Sequence, residues 1–241
     1  CFITSITLEH THVLGKSRHT ILQNKLGIVK SWTTLYTYVN NKQVHYYCNK
    51  VGAKLKIWNS KFETQKLTNL PGRHQQKNAI LVSECLQDMW FERKKIVTWL
   101  QKIHNPGRFE WITPAFFVDS ANNKQNIRLL KNMLSNDISD SIIIFGTTQA
   151  DPIYAAQLAN TFPNQQKILV DGFCERALPC SKYSKNVLRN TTWHLDTEKG
   201  QLSMKNLLKQ EKKSQKYVLY GSIYLVGYVM CLSRYNIFAK G

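Results

Sequence analysis

The chain predicts an α/β protein whose second half is Rossmann-like, and three observations carry that prediction. Four short runs, Ala115 to Val118, Ile142 to Phe145, Lys167 to Val170 and Tyr217 to Tyr220, are mostly apolar and lack alternation, as parallel strands covered on both faces should be. Between them apolar residues recur at helical spacing: Ile127, Leu130, Met133 and Leu134; Ile153, Tyr154, Leu158 and Ala159; Leu202, Leu207 and Leu208. Finally, Asn105-Pro106-Gly107 breaks a helical pattern, which predicts an exposed linker over Asn105 to Arg108 between domains 1–104 and 105–241.

In chain order, the β-branched run Ile3 to Thr7 predicts a buried strand that delivers His10 to its end, where parallel sheets place ligands. His12 should face the opposite side, so the two histidines would not share an ion on a continuing strand. A helix then leads to Lys25. Trp32 to Val39 is β-rich and Asn40-Asn41 reads as a turn, with a further short strand at Lys54 to Trp58. From His74 the period becomes helical: Ile80, Leu81, Cys85, Leu86 and Met89 form one stripe, and Ile96, Val97, Trp99, Leu100 and Ile103 a second. Near the end, Gly221-Ser222 should turn from strand to helix with Ser222 as N-cap and a buried helix over Ile223 to Leu232. The uncharged stretch Tyr217 to Ser233 is shorter than the ~20 residues of a membrane span and contains two glycines, so it reads as core.

A length of 241 residues with 43% hydrophobic and 20% charged residues suits a folded chain with a sizeable core and excludes a disordered one. The net charge of +18 leaves a nucleic-acid partner open, but only 8 of the 33 basic residues are Arg and the lysines are scattered, which argues against dedicated phosphate recognition. Six cysteines without a Cys-x-x-Cys pair exclude a zinc-finger pattern and predict reduced thiols. No signal-peptide pattern precedes the first strand, and the expected location is the cytoplasm or the mitochondrion.

Spaced motifs give the sequence its functional content. They are Leu8-Glu9-His10, Asn24-Lys25-Leu26-Gly27-Ile28, Gly72-Arg73-His74-Gln75-Gln76-Lys77-Asn78-Ala79, Pro106-Gly107-Arg108-Phe109-Glu110, Asp119-Ser120-Ala121-Asn122-Asn123, Glu175-Arg176-Ala177-Leu178-Pro179 and Gly221-Ser222-Ile223-Tyr224-Leu225-Val226-Gly227. In this order they resemble the "LDH", "EKAGI", "GxHQxxNA", "PGRFE", "DGAHN", "PRALP" and "GSLYLVG" segments of the folylpolyglutamate synthase/dihydrofolate synthase family, ATP-dependent amide ligases of the Mur ligase superfamily.

That resemblance implies the C-terminal remainder of a Mur-ligase-type ATPase domain over 1–104 and a Rossmann-like ligase domain over 105–241. It implies ATP and Mg²⁺ as cofactors, and folate or dihydropteroate and L-glutamate as substrates. His10 would be a magnesium ligand, and Lys25, carbamylated in many members, would help to hold a second metal and so serve catalysis. Asn78, Arg108, Asp119 and Asn122 would contact the nucleotide, with His10 and Lys25 in one cleft that Arg108 and Asp119 face from across the linker. Asp171 and Arg176 are candidates for the acceptor amino-acid pocket. The chain has no G-x-x-x-x-G-K-[ST] phosphate loop, so it reads as the C-terminal part of a longer ligase that does not turn over ATP by itself.

Several positions depart from the family pattern. Glu9 stands for its Asp, Asn24 for its Glu, Ser120 for its Gly and Asn122 for its His, while Gln149-Ala150-Asp151 replaces its lysine-aspartate pair. Asn122 can donate a hydrogen bond but offers no titrating imidazole. The alternative reading is therefore an inactive member of the fold, a scaffold or subunit of a larger, ribonucleoprotein assembly.

Overall fold

Three short parallel strands carry the first part of the chain in the computed structural model, which describes residues 1–8, 11–59, 66–134, 138, 140–148, 152–196, 204–208 and 215–238. The chain divides into two units, Cys1–His104 and Asn105–Gly241. In the first, β2 (Thr34–Thr37) lies between β1 (Phe2–Ile3) and β3 (Lys54–Ile57). α1 (Thr11–Leu14) precedes α2 (Arg18–Leu26), which starts at Ser17, whose side chain accepts the Thr20 N–H. α3 (Lys42–Val51) starts at Asn41, which accepts the Val44 N–H at 2.9 Å, and ends at Gly52 with φ 69°. Ile3, Leu22, Leu26, Leu35, Val44 and Cys48 are buried together between these elements. α4 (Arg73–Asp88) and α5 (Arg93–Lys102) bury Ala79, Ile80, Ile96 and Leu100 with Leu67.

The first strand is shorter than its β-branched run suggests. The Thr37 hydroxyl donates to the Ile3 carbonyl at 2.6 Å and accepts the Val39 N–H at 2.9 Å, so a side chain replaces the next rung of the ladder. β1 consequently ends at Ile3 rather than Thr7. Met89, Trp99 and Ile103, which the helical stripes assign to the core, are exposed.

In the second unit six strands run in the order β4-β5-β9-β6-β7-β8. β4 (Glu110–Thr113) pairs antiparallel with β5 (Phe116–Asp119); all other neighbours, β6 (Ile142–Gly146), β7 (Lys167–Asp171), β8 (Trp193–Asp196) and β9 (Tyr217–Gly221), are parallel. Thus the four apolar runs belong to one sheet. α6 (Lys124–Leu134), α7 (Pro152–Asn160) and α8 (Lys185–Arg189) cover one face, packing on Phe117, Ile143, Phe145, Leu169 and Tyr220. The other face, with Phe116, Val118, Ile144, Val170 and Leu219, is covered by α9 (Ile223–Phe238) and by the helical residues 204–208. Both faces are apolar because each strand contributes alternate residues to two separate cores.

α9 extends well past Leu232. Among the described residues no helix is long and apolar enough to cross a membrane. The segment expected as an exposed linker is exposed at Asn105 and Pro106 only: Gly107 is buried and Arg108 half-buried, because from there the loop is bonded into the second unit.

Candidate ligand site at the carboxyl edge of the second sheet

Neighbouring strands β5 and β9 send their following helices to opposite faces of the sheet: α6 after β5, α9 after β9. Such a divergence opens a crevice at the carboxyl ends of the strands, where open α/β sheets bind ligands. Asp119 ends β5 there and Gly221-Ser222 ends β9 beside it. Gly221 has φ 125°, and a Cβ on it would run into the Gly146 carbonyl oxygen, so only glycine lets β9 leave the sheet this close to β6. Ser222 N–H then donates to Gly146 O at 3.0 Å, and its hydroxyl accepts the Tyr224 N–H at 3.3 Å, which starts α9 as an N-cap does.

The loop that opens the second unit is laced to this edge. Gly107 N–H donates to the Glu110 carboxylate at 2.7 Å, Ser120 N–H to Gly107 O at 2.9 Å, and Arg108 Nη1 to Ser120 O at 3.0 Å. Phe109, at φ 50°, donates its N–H to Asp119 Oδ2 at 2.8 Å. Burial pushes the Asp119 carboxyl above the ordinary value, while the Phe109 and Ala121 N–H groups and the nearby Arg108 charge pull it down. The Ser120 hydroxyl, in the residue after β5, is buried with no hydrogen-bond partner. Ser120 falls inside the Asp119 to Asn123 motif, yet its type gave no sign of this role.

Arg108 is therefore partly committed to holding its own loop. A guanidinium carries five N–H donors, so one bond to Ser120 does not exhaust it. Asn122 is half-buried between Ala121 and Asn123, whose carboxamide accepts the Asn126 N–H at 2.9 Å and starts α6. Asp171 closes β7, buried, with Oδ2 accepting the Cys180 N–H at 2.6 Å and Oδ1 lying 3.0 Å from His194 Nε2. It anchors the loop after β7. Arg176 in that loop is exposed, with Nη1 3.4 Å from the Tyr224 hydroxyl and its guanidinium 5.8 Å from the ring centre. The edge thus offers the remaining Arg108 donors, the unpartnered Ser120 hydroxyl and the exposed Arg176 cation, which is chemistry suited to an anion.

In the first unit, taken by itself, Lys25 is half-buried in the last turn of α2, and Asn78 is half-buried in α4 and 3.5 Å from Gln75. Asn24, next to Lys25, donates to Leu14 O at 2.8 Å and so fixes the chain between α1 and α2. His10, Glu9 and the segment Gln149-Ala150-Asp151 lie outside the described residues. Among the described residues no group of three or more His, Cys, Asp or Glu could hold a metal ion. A cluster that sequence reasoning missed locks α4 to the sheet: Tyr36 hydroxyl donates to Asp88, and Lys56 Nζ lies 2.6 Å from the same carboxylate. Its members are three separate stretches apart, and nothing in their spacing announces them.

No protein-family model matches the sequence, and no curated protein is significantly similar to it. Solved structures are similar. A mutant of the L. casei folylpolyglutamate synthase is 20% identical with a TM-score of 0.69 over 95% of this chain and 60% of its own. The Mycobacterium tuberculosis folylpolyglutamate synthase, complexed with ADP and AMPPCP, is 16% identical with a TM-score of 0.74 over 96% of this chain and 63% of its own. The bifunctional folylpolyglutamate synthase/dihydrofolate synthase of Yersinia pestis, complexed with AMPPNP and a Mn ion, is 19% identical with a TM-score of 0.72, covering 95% and 60%. The chain spans about 60% of the length of these synthases. Over nearly its whole length the chain therefore shares the α/β fold of these folylpolyglutamate synthases.

Proposed function

We propose that this chain is the C-terminal part of an ATP-dependent folylpolyglutamate/dihydrofolate synthase, joining L-glutamate to a folate or pteroate carboxylate. The observation that carries this reading is the lacing of the Pro106 to Glu110 motif to the Asp119 motif through Phe109–Asp119 and Arg108–Ser120. Two segments that resemble one ligase family are thereby joined at the crevice of a sheet, although they are separated in sequence. In such a reaction the substrate carboxylate takes the γ-phosphoryl group of ATP to give an acyl phosphate and ADP. The glutamate amine then attacks the acyl carbon, and phosphate leaves as the amide forms.

On this reading Arg108, Asp119, Asn122 and, in the first unit, Asn78 contact the nucleotide. Arg108 supplies fixed donors to phosphate oxygens, and the buried Ser120 hydroxyl gains a partner. The Asp119 carboxylate keeps the Phe109 loop in place, so the donors need no rearrangement. His10 and Lys25 would hold Mg²⁺, which neutralises charge on the transferring phosphoryl group. Asp171 positions the loop that carries Arg176, a cation placed for an acidic acceptor.

Phosphoryl transfer depends almost entirely on positioning and electrostatics, and the chain contains no glycine-rich phosphate loop to hold the β- and γ-phosphates. We therefore expect no ligation from the 241 residues alone and activity once an N-terminal portion with that loop is supplied. The test is incorporation of labelled glutamate into dihydropteroate and tetrahydrofolate by the chain alone, by the completed protein and by its Asn122→His variant. Activity in the completed protein, raised by Asn122→His, supports the reading; turnover by the chain alone refutes its dependence on the missing loop, and silence from both completed proteins refutes the ligase assignment.

A further inference from the structure

A cluster of exposed aromatic residues lies in the first unit, at the turn between α4 and α5. α4 and α5 are joined by a turn over residues 89–92, where Trp90 sits at φ 67° and is 94% exposed, next to Met89 at 60% and Phe91 at 41%. Phe91 packs edge-on against Trp99 of α5 with ring centres 5.6 Å apart, and Trp99 remains 45% exposed. The buried side of α5 is Ile96 and Leu100, so Trp99 belongs to the outward face. A non-glycine residue in the left-handed region, displaying an indole to water, carries backbone strain with no burial in return.

Basic residues follow these rings along α5. Arg93, Lys94 and Lys95 fill the first turn of α5, where the helix dipole is already positive and no side chain caps the end. Lys95 and Lys102 lie four residues before and three after Trp99, on the same helix face and about 10 Å apart along the axis. Glu92 is the only acidic residue between 89 and 103, and its contact with Lys95, 3.6 Å between two exposed groups, offsets little. Lys94 and Lys95 at a positive helix end repel one another, and a bound polyanion would relieve that repulsion.

We propose that the α4–α5 turn and the outer face of α5 form a platform for single-stranded nucleic acid, with Trp90 and Trp99 stacking on bases and Lys94, Lys95 and Lys102 meeting the phosphates. Exposed rings interleaved with cations are what sequence-tolerant binding of single strands requires, because every base has a stacking face and every nucleotide a charge. A duplex keeps its bases stacked inside and offers these rings nothing. The scattered lysines elsewhere, part of the +18 net charge, would add general attraction without stacking.

The experiment measures binding of the full 241-residue chain to fluorescein-labelled dT20 and rU20, to a 20-base-pair duplex and to phosphatidylcholine vesicles containing phosphatidylserine, as a function of salt. Single strands should bind more tightly than the duplex, with tryptophan fluorescence quenched. Trp90→Ala and Trp99→Ala should each weaken single-strand binding by at least ~5-fold while leaving duplex binding unchanged. Lys94→Ala/Lys95→Ala should lower the salt slope by about 1.4, and the control Lys42→Ala/Lys50→Ala on α3, with the same charge loss, should leave the tryptophan quenching intact. Circular dichroism confirms that each variant is folded. Equal duplex binding with no effect of the tryptophans would reduce the surface to net charge, vesicle binding without oligonucleotide binding would assign it to a membrane, and absence of binding would remove it; each overturns the proposal.

Discussion

The Asp119 carboxylate accepts the backbone N–H of Phe109 at 2.8 Å, which ties the carboxyl end of β5 to the loop that opens the second unit. That bond is formed in a place where charge is costly: burial raises the carboxyl's pKa above its ordinary value of 3.8, and the N–H groups and Arg108 only partly compensate. A group whose folded pKa is raised contributes stability below the unfolded value and loses it as pH rises through the folded one. Asp119→Asn keeps an oxygen for Phe109 and removes the charge. The melting temperature of the variant relative to the parent should therefore climb between pH 4 and pH 7, and a flat difference would show that Asp119 is not desolvated.

Asp88 should behave in the opposite way. Its carboxyl is held below the ordinary value by Lys56 first and by the Tyr36 hydroxyl second. Its stabilising effect is present above pH 3.8 and is lost as pH falls through the lowered folded value. In Asp88→Asn that acid-dependent loss should disappear, while stability at neutral pH drops because Lys56 and Tyr36 lose an ionised partner. Thermal unfolding from pH 2 to pH 7 checks both parts, and an unchanged acid limb would sink the prediction.

The contrast between what could and could not be read from sequence follows burial. β5, β6, β7 and β9 were legible to within a residue because each is apolar on both faces, so composition alone marks them. β4 and β8 were missed. Both are edge strands, and Trp-Ile-Thr after Glu110 or His-Leu-Asp after Trp193 mixes polar and apolar residues without a sustained period. β1 was overread for the converse reason, since its β-branched residues continue after Thr37 has taken the Ile3 carbonyl. At the candidate site the motif residues were visible, but Arg108's bond to Ser120 was not, because it depends on a loop that the Asn-Pro-Gly break made look like linker.

Gly221 tests the close approach of β9 to β6. Alanine there would need φ near 125° and would also meet the Gly146 carbonyl oxygen, a backbone atom fixed within the sheet. Strain and overpacking together should cost about 3 kcal/mol. Gly227→Ala, in the interior of α9 where a Cβ meets nothing within 4 Å, is the control and should stabilise by up to about 1 kcal/mol through helix propensity. Urea unfolding of the two variants should separate them clearly; equal midpoints would mean that β9 can leave the sheet by another path.

Arg108 has two tasks on the proposed reading, and substitution should pull them apart. Its Nη1 bond to Ser120 O at 3.0 Å holds the loop, whereas its remaining donors would meet nucleotide phosphate. Lysine can reach a carbonyl with one N–H but cannot reproduce the planar fork. Arg108→Ala should lower stability by about 1 to 2 kcal/mol through the lost charge-assisted bond, and Arg108→Lys should restore much of that. Affinity for ADP, measured by calorimetry on the protein completed with a phosphate loop, should fall in both variants by about tenfold or more, since a bidentate contact to phosphate is lost in each. The two measurements therefore diverge only for the lysine variant: near-parental unfolding with weakened nucleotide binding. Parental ADP affinity in Arg108→Lys would confine Arg108 to its loop and remove it from the nucleotide site.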